Sequence, residues 1–273
     1  RLIAEGISRV VFAVRDPNPL VCGRGEAMLR EAGIDVSSGV CEGEARQAHA
    51  GFFSRVTRHR PWVRLKSAVS LDGRTALENG VSQWITGPKA REDAHRYRAL
   101  SQGILTGIGT VLADNPRLNV RLEGVHPNPT KYIIDPRAQT PVTAAVLTGA
   151  KTVLFVSEVA LPDKIAALKS AGAEVLTMPT DREGHFDLRQ ILEAIAAQGV
   201  NDLLLEAGAR LSGAFLQACL VDELLVYMAP ALIGPGMPLA DLAAKTRMDQ
   251  VARWQFVSVT PVGEDVRLIL RAI

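Results

Sequence analysis

The chain has 273 residues, with 31 Lys and Arg against 29 Asp and Glu, a formal charge of +2. At roughly 150 residues per domain this is one large domain or two unequal ones, and an apolar fraction of 47% suffices for a sizeable core, which excludes wholesale disorder. Near-neutral charge argues against a nucleic-acid or membrane-surface binder working through bulk charge, no apolar run approaches the ~18 residues of a membrane span, and three dispersed Cys (Cys22, Cys41, Cys219) write neither a disulfide framework nor a Cys-based zinc site.

The first ~50 residues read as a piece of an α/β unit, too small for a core of its own. Val10–Val14 is a short buried strand, and Asp16-Pro17-Asn18-Pro19 a turn, since two prolines and an Asx residue cannot continue a strand. Gly23-Arg24-Gly25 has the look of the start of a dinucleotide fingerprint, but position 28 is Met, and a loop needing two glycines is the preferred reading. Glu26–Glu31 is a helix stopping at Gly33, Ile34–Val36 a strand, and Glu42–Phe52 a helix. Arg55–Arg60 reads as a solvated linker.

From Pro61 the pattern becomes regular. Strands are expected at Trp62–Ser70, Ile104–Thr106, Tyr132–Ile134, Thr152–Val156, Glu174–Met178, Leu203–Leu205, Leu224–Met228, Phe256–Thr260 and Val266–Leu270, with helices at Pro88–Gln102, Pro162–Ala171, Leu188–Gln198 and Leu211–Cys219. Strands alternating with 10–15-residue helices imply a largely parallel sheet. The short link at Gly263-Glu264 makes the last pair antiparallel, so the sheet is mixed, with Val266–Leu270 as an exposed edge unless a second subunit covers it.

Four segments carry the chemistry. On the Trp62–Ser70 strand, Lys66 lies two residues before the small Ala68 on one face, either an ammonium beside a ligand or a surface Lys on an edge strand. After Ser82–Gly87, Thr86 is placed to cap a helix beginning at Pro88, on which Arg91, His95 and Arg98 form one basic stripe: a solvated face, or the wall of a phosphate-binding cleft. Gly107 and Gly109 permit close backbone approach, Asp114-Asn115-Pro116 forces a turn, and Arg121 lies just beyond. Finally, Asp202–Leu211 reads strand, Glu-Ala-Gly turn, helix, with Leu211, Ala214, Phe215 and Ala218 on the core side. Glu206 then stands at the carboxyl end of a strand, and the turn after Gly208 offers amides to phosphate; an ordinary turn with a solvent-facing Glu is the equal alternative. The five histidines are scattered without metal-ligand spacing, so no metal site is expected.

These strings, in this order, resemble the riboflavin-biosynthesis bifunctional deaminase/reductase family: Leu65–Ala76 (LKSAVSLDGRTA), Ser82–Gly87 (SQWITG), Ala90–Arg98, Ile104–Leu118 (ILTGIGTVLADNPRL), Glu206–Gly213 and Leu220–Leu224 (LVDEL). Ile3–Gly6, Asp16–Pro19, Gly23–Gly25 and Ala32–Val36 resemble the tail of its deaminase half. The resemblance implies an α/β fold in two parts. Residues 61–273 would be a reductase with a dihydrofolate-reductase-like mixed, mostly parallel sheet flanked by helices; residues 1–60 would be a linker and the remnant of a cytidine-deaminase-like α/β domain, whose zinc motif is expected upstream of Arg1.

The implied activity is NADPH-dependent reduction of 5-amino-6-(5-phosphoribosylamino)uracil to its ribitylamino product. The implied cofactor residues are Ala68, Trp84, Thr110, Asp114 and the turn Gly208, Ala209, Arg210, Leu211, Ser212, Gly213 and Ala214; the substrate residues are Ser82, Arg98, Leu118, Arg121 and Glu206. Lys66 and Glu206 are the candidates for moving protons, and Arg98 and Arg121 for gripping the 5′-phosphate. Pro136 falls where the family often carries a Ser near the cofactor. A cytoplasmic homodimer without nucleic-acid or membrane partners is expected. The competing readings are a reductase of the same fold for another pyrimidine or pterin, and a non-catalytic nucleotide-binding module.

Overall fold

The computed structural model describes residues 1–124 and 126–273. The opening segment carries β1 (Arg9–Phe12), α1 (Arg24–Glu31) and β2 (Asp35–Ser38), with β1 and β2 paired parallel as a separate two-stranded sheet. Gly33, at φ +78°, closes α1 as its position predicts. The single helix expected over Glu42–Phe52 is instead two, α2 (Glu42–Ala48) and α3 (Ala50–Arg58), broken at His49. The break turns α3 onto the end of the larger sheet. There Gly51 lies so close that a Cβ would sit 2.8 Å from the Asn201 carbonyl oxygen.

Residues 55–60 are therefore not a solvated linker. Arg58 and Arg60 converge on Asp222, whose carboxylate accepts from Arg60 at 2.7 and 2.8 Å, from Arg58 at 2.8 Å and from the amide of Val63 at 2.8 Å. Arg60 is only 6% exposed. A run of arginines without local acids had its acid 162 residues away.

The rest of the chain follows as β3 (Trp62–Ser70), β4 (Arg74–Leu77), α4 (Pro88–Leu100), β5 (Gly103–Gly107), α5 (Ile108–Asp114), β6 (Thr130–Ile134), β7 (Thr152–Ser157), α6 (Pro162–Ser170), β8 (Glu174–Met178) and α7 (Leu188–Ala197). It ends with β9 (Asp202–Leu205), α8 (Ala209–Gln217), β10 (Glu223–Ala229), β11 (Gly236–Pro238), β12 (Trp254–Val262) and β13 (Asp265–Ala272). Nine strands form one sheet in the order β12-β13-β10-β3-β9-β5-β6-β7-β8, antiparallel only where β13 meets β10 and β12. This is the mixed, mostly parallel sheet flanked by helices that was expected. β3 lies in its interior, so Lys66 is on no edge. The final strand is not an edge either: β13 is covered by β12, whose Phe256, Val257 and Val259 are exposed instead. Among the described residues no helix is long and apolar enough to cross a membrane.

The side chains of β3, β5 and β9 alternate between two cores. Val63, Leu65, Leu105, Leu203 and Leu205 bury with Phe215 and Ile191 on one face; Ile104 and Leu204 bury with Val111 and Leu154 on the other. Next to the latter, α4 lays Ala90 and Ala94 over Leu225 and Tyr227 of β10. The short β4–β11 pair and the seven-residue α5 escaped the sequence pattern, being too brief to show a period. Thr86 does not cap α4: Gly87 holds that place, and the Thr86 carbonyl instead accepts from Arg91 at 2.6 Å.

α8 also differs from its expected face. Phe215 and Leu211 pack on the core, but Ala214 and Ala218 are exposed, while Ser212 and Gly213 are buried. The cause is the loop after β11, which lies against the helix: Asp241 donates its amide to the Ala209 carbonyl at 2.9 Å, and a Cβ on Gly213 would sit 2.0 Å from the Asp241 carbonyl oxygen. Gly213→Ala must push the loop off or bend the helix. We expect a loss of about 1–3 kcal/mol, read as a lower denaturant midpoint at unchanged slope; an unshifted midpoint would show that the loop yields freely.

Candidate active site at the carboxyl ends of the central strands

Register places the site. Leu65 pairs with Leu205 and Leu105 with Leu205, so the next residues, Lys66, Glu206 and Thr106, stand side by side. Strand alternation turns all three away from the Leu65–Leu205–Leu105 core and toward the face that α4 overlies. Although β9 ends at Leu205, the Glu206 amide still donates to the Leu105 carbonyl at 2.9 Å, which holds Glu206 in the row.

From the last turn of α4, Arg98 reaches down to this row. Its Nε and Nη2 donate to the two oxygens of Glu206 at 2.7 and 2.8 Å, and Nη1 donates to the Asn119 carbonyl at 3.0 Å. Both side chains are largely buried, at 14% and 13% exposure. Burial pushes the Glu206 carboxyl up, but Arg98, Lys66 and His95 outweigh it and hold the group well below the usual carboxylate range. Burial pushes the Lys66 ammonium down; Glu206 opposes that and Arg98 adds to it. Glu206 is thus neither solvent-facing nor a reservoir of protons near neutral pH.

His95, one turn before Arg98, is 8% exposed and accepts the Arg121 amide on Nδ1 at 3.2 Å. Burial, then Arg98 and Arg121, push it down to about 4. The stripe Arg91–His95–Arg98 is therefore not one basic surface. Arg91 stacks over exposed Trp84, 4.5 Å from the ring centre, His95 is neutral, and Arg98 is spent on Glu206. Of the two arginines expected to grip a phosphate, Arg121 is the exposed one; its side chain donates to Asn119 at 3.0 Å. Leu118 sits at φ +49° with its side chain buried in the core, so it can offer a ligand only its backbone. Ser82 is half-buried at the entrance to α4.

The proposed cofactor residues fall into two groups. Ala68 follows Lys66 on β3, beside Tyr227; Thr110 and Asp114 lie on α5, which starts where β5 ends. A Cβ on Gly107 would sit 3.2 Å from Leu211, so α5 and α8 begin next to each other at this end of the sheet. α8 starts at Gly208 with no side-chain cap, and the space around Gly208 and Gly109 is open. Within the turn Gly208–Ala214, Gly208, Arg210 and Ala214 are exposed, whereas Ser212 and Gly213 are taken up by the fold, Ser212 donating to the Ala207 carbonyl at 3.2 Å. Pro136 is also engaged, its carbonyl accepting from the amide and hydroxyl of Ser157.

One residue of the row was missed. Thr106 is buried, and its hydroxyl has no partner among the described residues; only its register next to Glu206 could have pointed to it. His95 was noted for charge it does not carry. One grouping also escaped the histidine spacing: the exposed side chains of Asp181, Glu183 and His185 gather in one turn, where Asp181 accepts the amides of the other two at 2.9 and 2.8 Å.

Comparison with known proteins bears on this geometry. Residues 61–268 match the RibD C-terminal domain family model. The chain is 40% identical to the riboflavin biosynthesis protein RibD of Bacillus amyloliquefaciens over 274 residues, which span 98% of this chain and 72% of that protein. Its structure is similar to that of Acinetobacter baumannii RibD, with a TM-score of 0.89 at 36% identity over 100% of this chain and 75% of that one. It is likewise similar to the Thermotoga maritima diaminohydroxyphosphoribosylaminopyrimidine deaminase/5-amino-6-(5-phosphoribosylamino)uracil reductase, with a TM-score of 0.85 at 29% identity over 100% of this chain and 73% of that one.

Proposed function

The chain belongs to the RibD C-terminal domain family, and on that premise we propose how its central cluster performs the pyrimidine reduction of riboflavin biosynthesis. The protein is a reductase of that pathway. The substrate in our reading is 5-amino-6-(5-phosphoribosylamino)uracil, and the observation that carries the reading is the buried Lys66–Glu206–Arg98 cluster at the carboxyl ends of β3 and β9.

NADPH would lie over the start of α8, its pyrophosphate on the uncapped amides after Gly208, with Ala68, Trp84, Thr110 and Asp114 around it. When bound, it supplies a hydride. The open space at Gly208 and Gly109 fits a phosphate approaching the backbone. Lys66 is the proton donor in this reading. It protonates the ribose ring oxygen as the C1′–O bond breaks and the exocyclic nitrogen lone pair forms the C=N bond; hydride addition at C1′ then returns that pair to nitrogen. Glu206 keeps Lys66 charged and fixes Arg98; ionised as it is, it does not donate. Ser82, Arg121 and the backbone of Leu118 would orient the substrate so that C1′ faces the hydride donor with water excluded.

Residues 1–60 would be the closing part of a deaminase unit and 61–273 the reductase. A cytoplasmic homodimer formed along β12, where Phe256 is 59% and Val259 60% exposed, would cover the sheet edge. The test is NADPH oxidation with the deaminated ribosylaminouracil phosphate. We expect turnover that saturates in both reactants; cofactor binding in calorimetry without oxidation would instead support a non-catalytic module.

A further inference from the structure

We propose that His95 recognises the phosphorylated ribose as a neutral hydrogen-bond donor, with Nδ1 holding the Leu118–Arg121 loop and Nε2–H directed at the phosphate; the inference rests on the substrate reading above.

The tautomer follows from one contact. A backbone amide only donates, so the Nδ1 that receives the Arg121 N–H carries a lone pair, and in a neutral ring the proton is on Nε2. Among the described residues nothing pairs with Nε2, and it is not among the sealed, unpaired polar atoms, so it keeps some contact with the solvent side. The charged groups around the ring are Arg98, Arg121, Glu206 and Lys66. Glu206 is already paired with Arg98, which leaves a cationic surround around an available N–H, suited to an anion. Because Arg98 is committed to Glu206, the groups left to grip a phosphate monoester are the Arg121 guanidinium and this N–H.

Neutrality serves the arrangement. A third cation beside Arg98 and Arg121 would be repelled, and a proton on Nδ1 would push the Arg121 amide away and release the loop that carries the other phosphate donor. A neutral imidazole adds a donor and keeps the loop anchored.

Two variants separate the two nitrogens. His95→Asn keeps an acceptor near the Nδ1 position and removes the distal N–H; His95→Gln places an amide near Nε2 and removes the anchor. For His95→Asn we expect calorimetric affinity and KM for the phosphorylated substrate to worsen about tenfold or more, with kcat within about twofold. Affinity for the same compound with its phosphate removed should not change. His95→Gln should retain more of the phosphate preference but lose kcat as the loop drifts. In the wild type, KM from about pH 5.5 to 8 should follow only the second ionisation of the substrate's own phosphate, at about 6, and His95→Asn should show the same inflection. An unchanged ratio of phosphorylated to dephosphorylated affinity in both variants overturns the proposal, as does a further inflection in the wild-type KM that His95→Asn abolishes. A wild-type protein that turns the substrate over while His95→Asn behaves identically refutes this inference alone; a wild type without turnover removes the substrate reading as well.

Discussion

Lys66→Met is expected to lower kcat by about 10²- to 10⁴-fold, the range of a lost general acid, while cofactor affinity stays within about twofold. The side chain stands next to Glu206 on an interior strand of the sheet, and replacing it by Met roughly keeps its length and apolar stem while deleting the proton. Lys66→Arg should not rescue, since a guanidinium holds its proton throughout the working range. The pH dependence has a definite sign. Burial lowers the Lys66 pKa, so the active ammonium form is complete at low pH and is lost as pH rises through a value below the ordinary 10.5. Glu206→Gln removes the carboxylate that opposes this, and the alkaline limb of the kcat profile should move to lower pH. A profile that stays in place, or Lys66→Met with wild-type kcat, would leave proton delivery to another group.

Asp222→Ala should cost about 3–5 kcal/mol, the scale for breaking a buried pair by removing one partner. The substitution strands Arg60, whose side chain is 7% exposed, and leaves the Val63 amide without its acceptor. Arg58→Ala should cost far less, because the Arg58 side chain is 40% exposed and water can replace the contact. Urea unfolding of both variants checks the ranking; equal shifts would mean that the arginine pair shares the carboxylate evenly and burial decides nothing.

The sequence made the strands of the large sheet readable, because Val, Ile and Leu runs between helices of regular length leave a local imprint. Glu174–Met178 even has the expected ends. It did not make neighbours readable. The Arg60–Asp222 pair and the Arg98–Glu206 pair close over 162 and 108 residues, and no period in the chain encodes either. For the same reason Arg55–Arg60 passed for a linker, and Val266–Leu270 for an edge. Lys66 and Glu206 were legible as candidates because each lies on or directly after a strand in a string characteristic of a family. Their mutual placement was not, since it depends on β3 entering the sheet beside β9. The turn Gly208–Ala214 shows the limit from the other side: a contiguous string read as one binding loop is divided between exposed residues and residues consumed by the loop that packs on α8.

That packing also ties two regions to one opening event. The Asp241 amide exchanges its hydrogen with solvent only after its bond to the Ala209 carbonyl breaks, and that break lifts the loop from the first turn of α8. The exchange rate of this one amide thus reports how often the helix start is uncovered. Residues 242–250 are exposed throughout and offer a protease its point of entry. A molecule that binds the helix start only in the docked state slows exchange at Asp241 by the factor by which it stabilises that state.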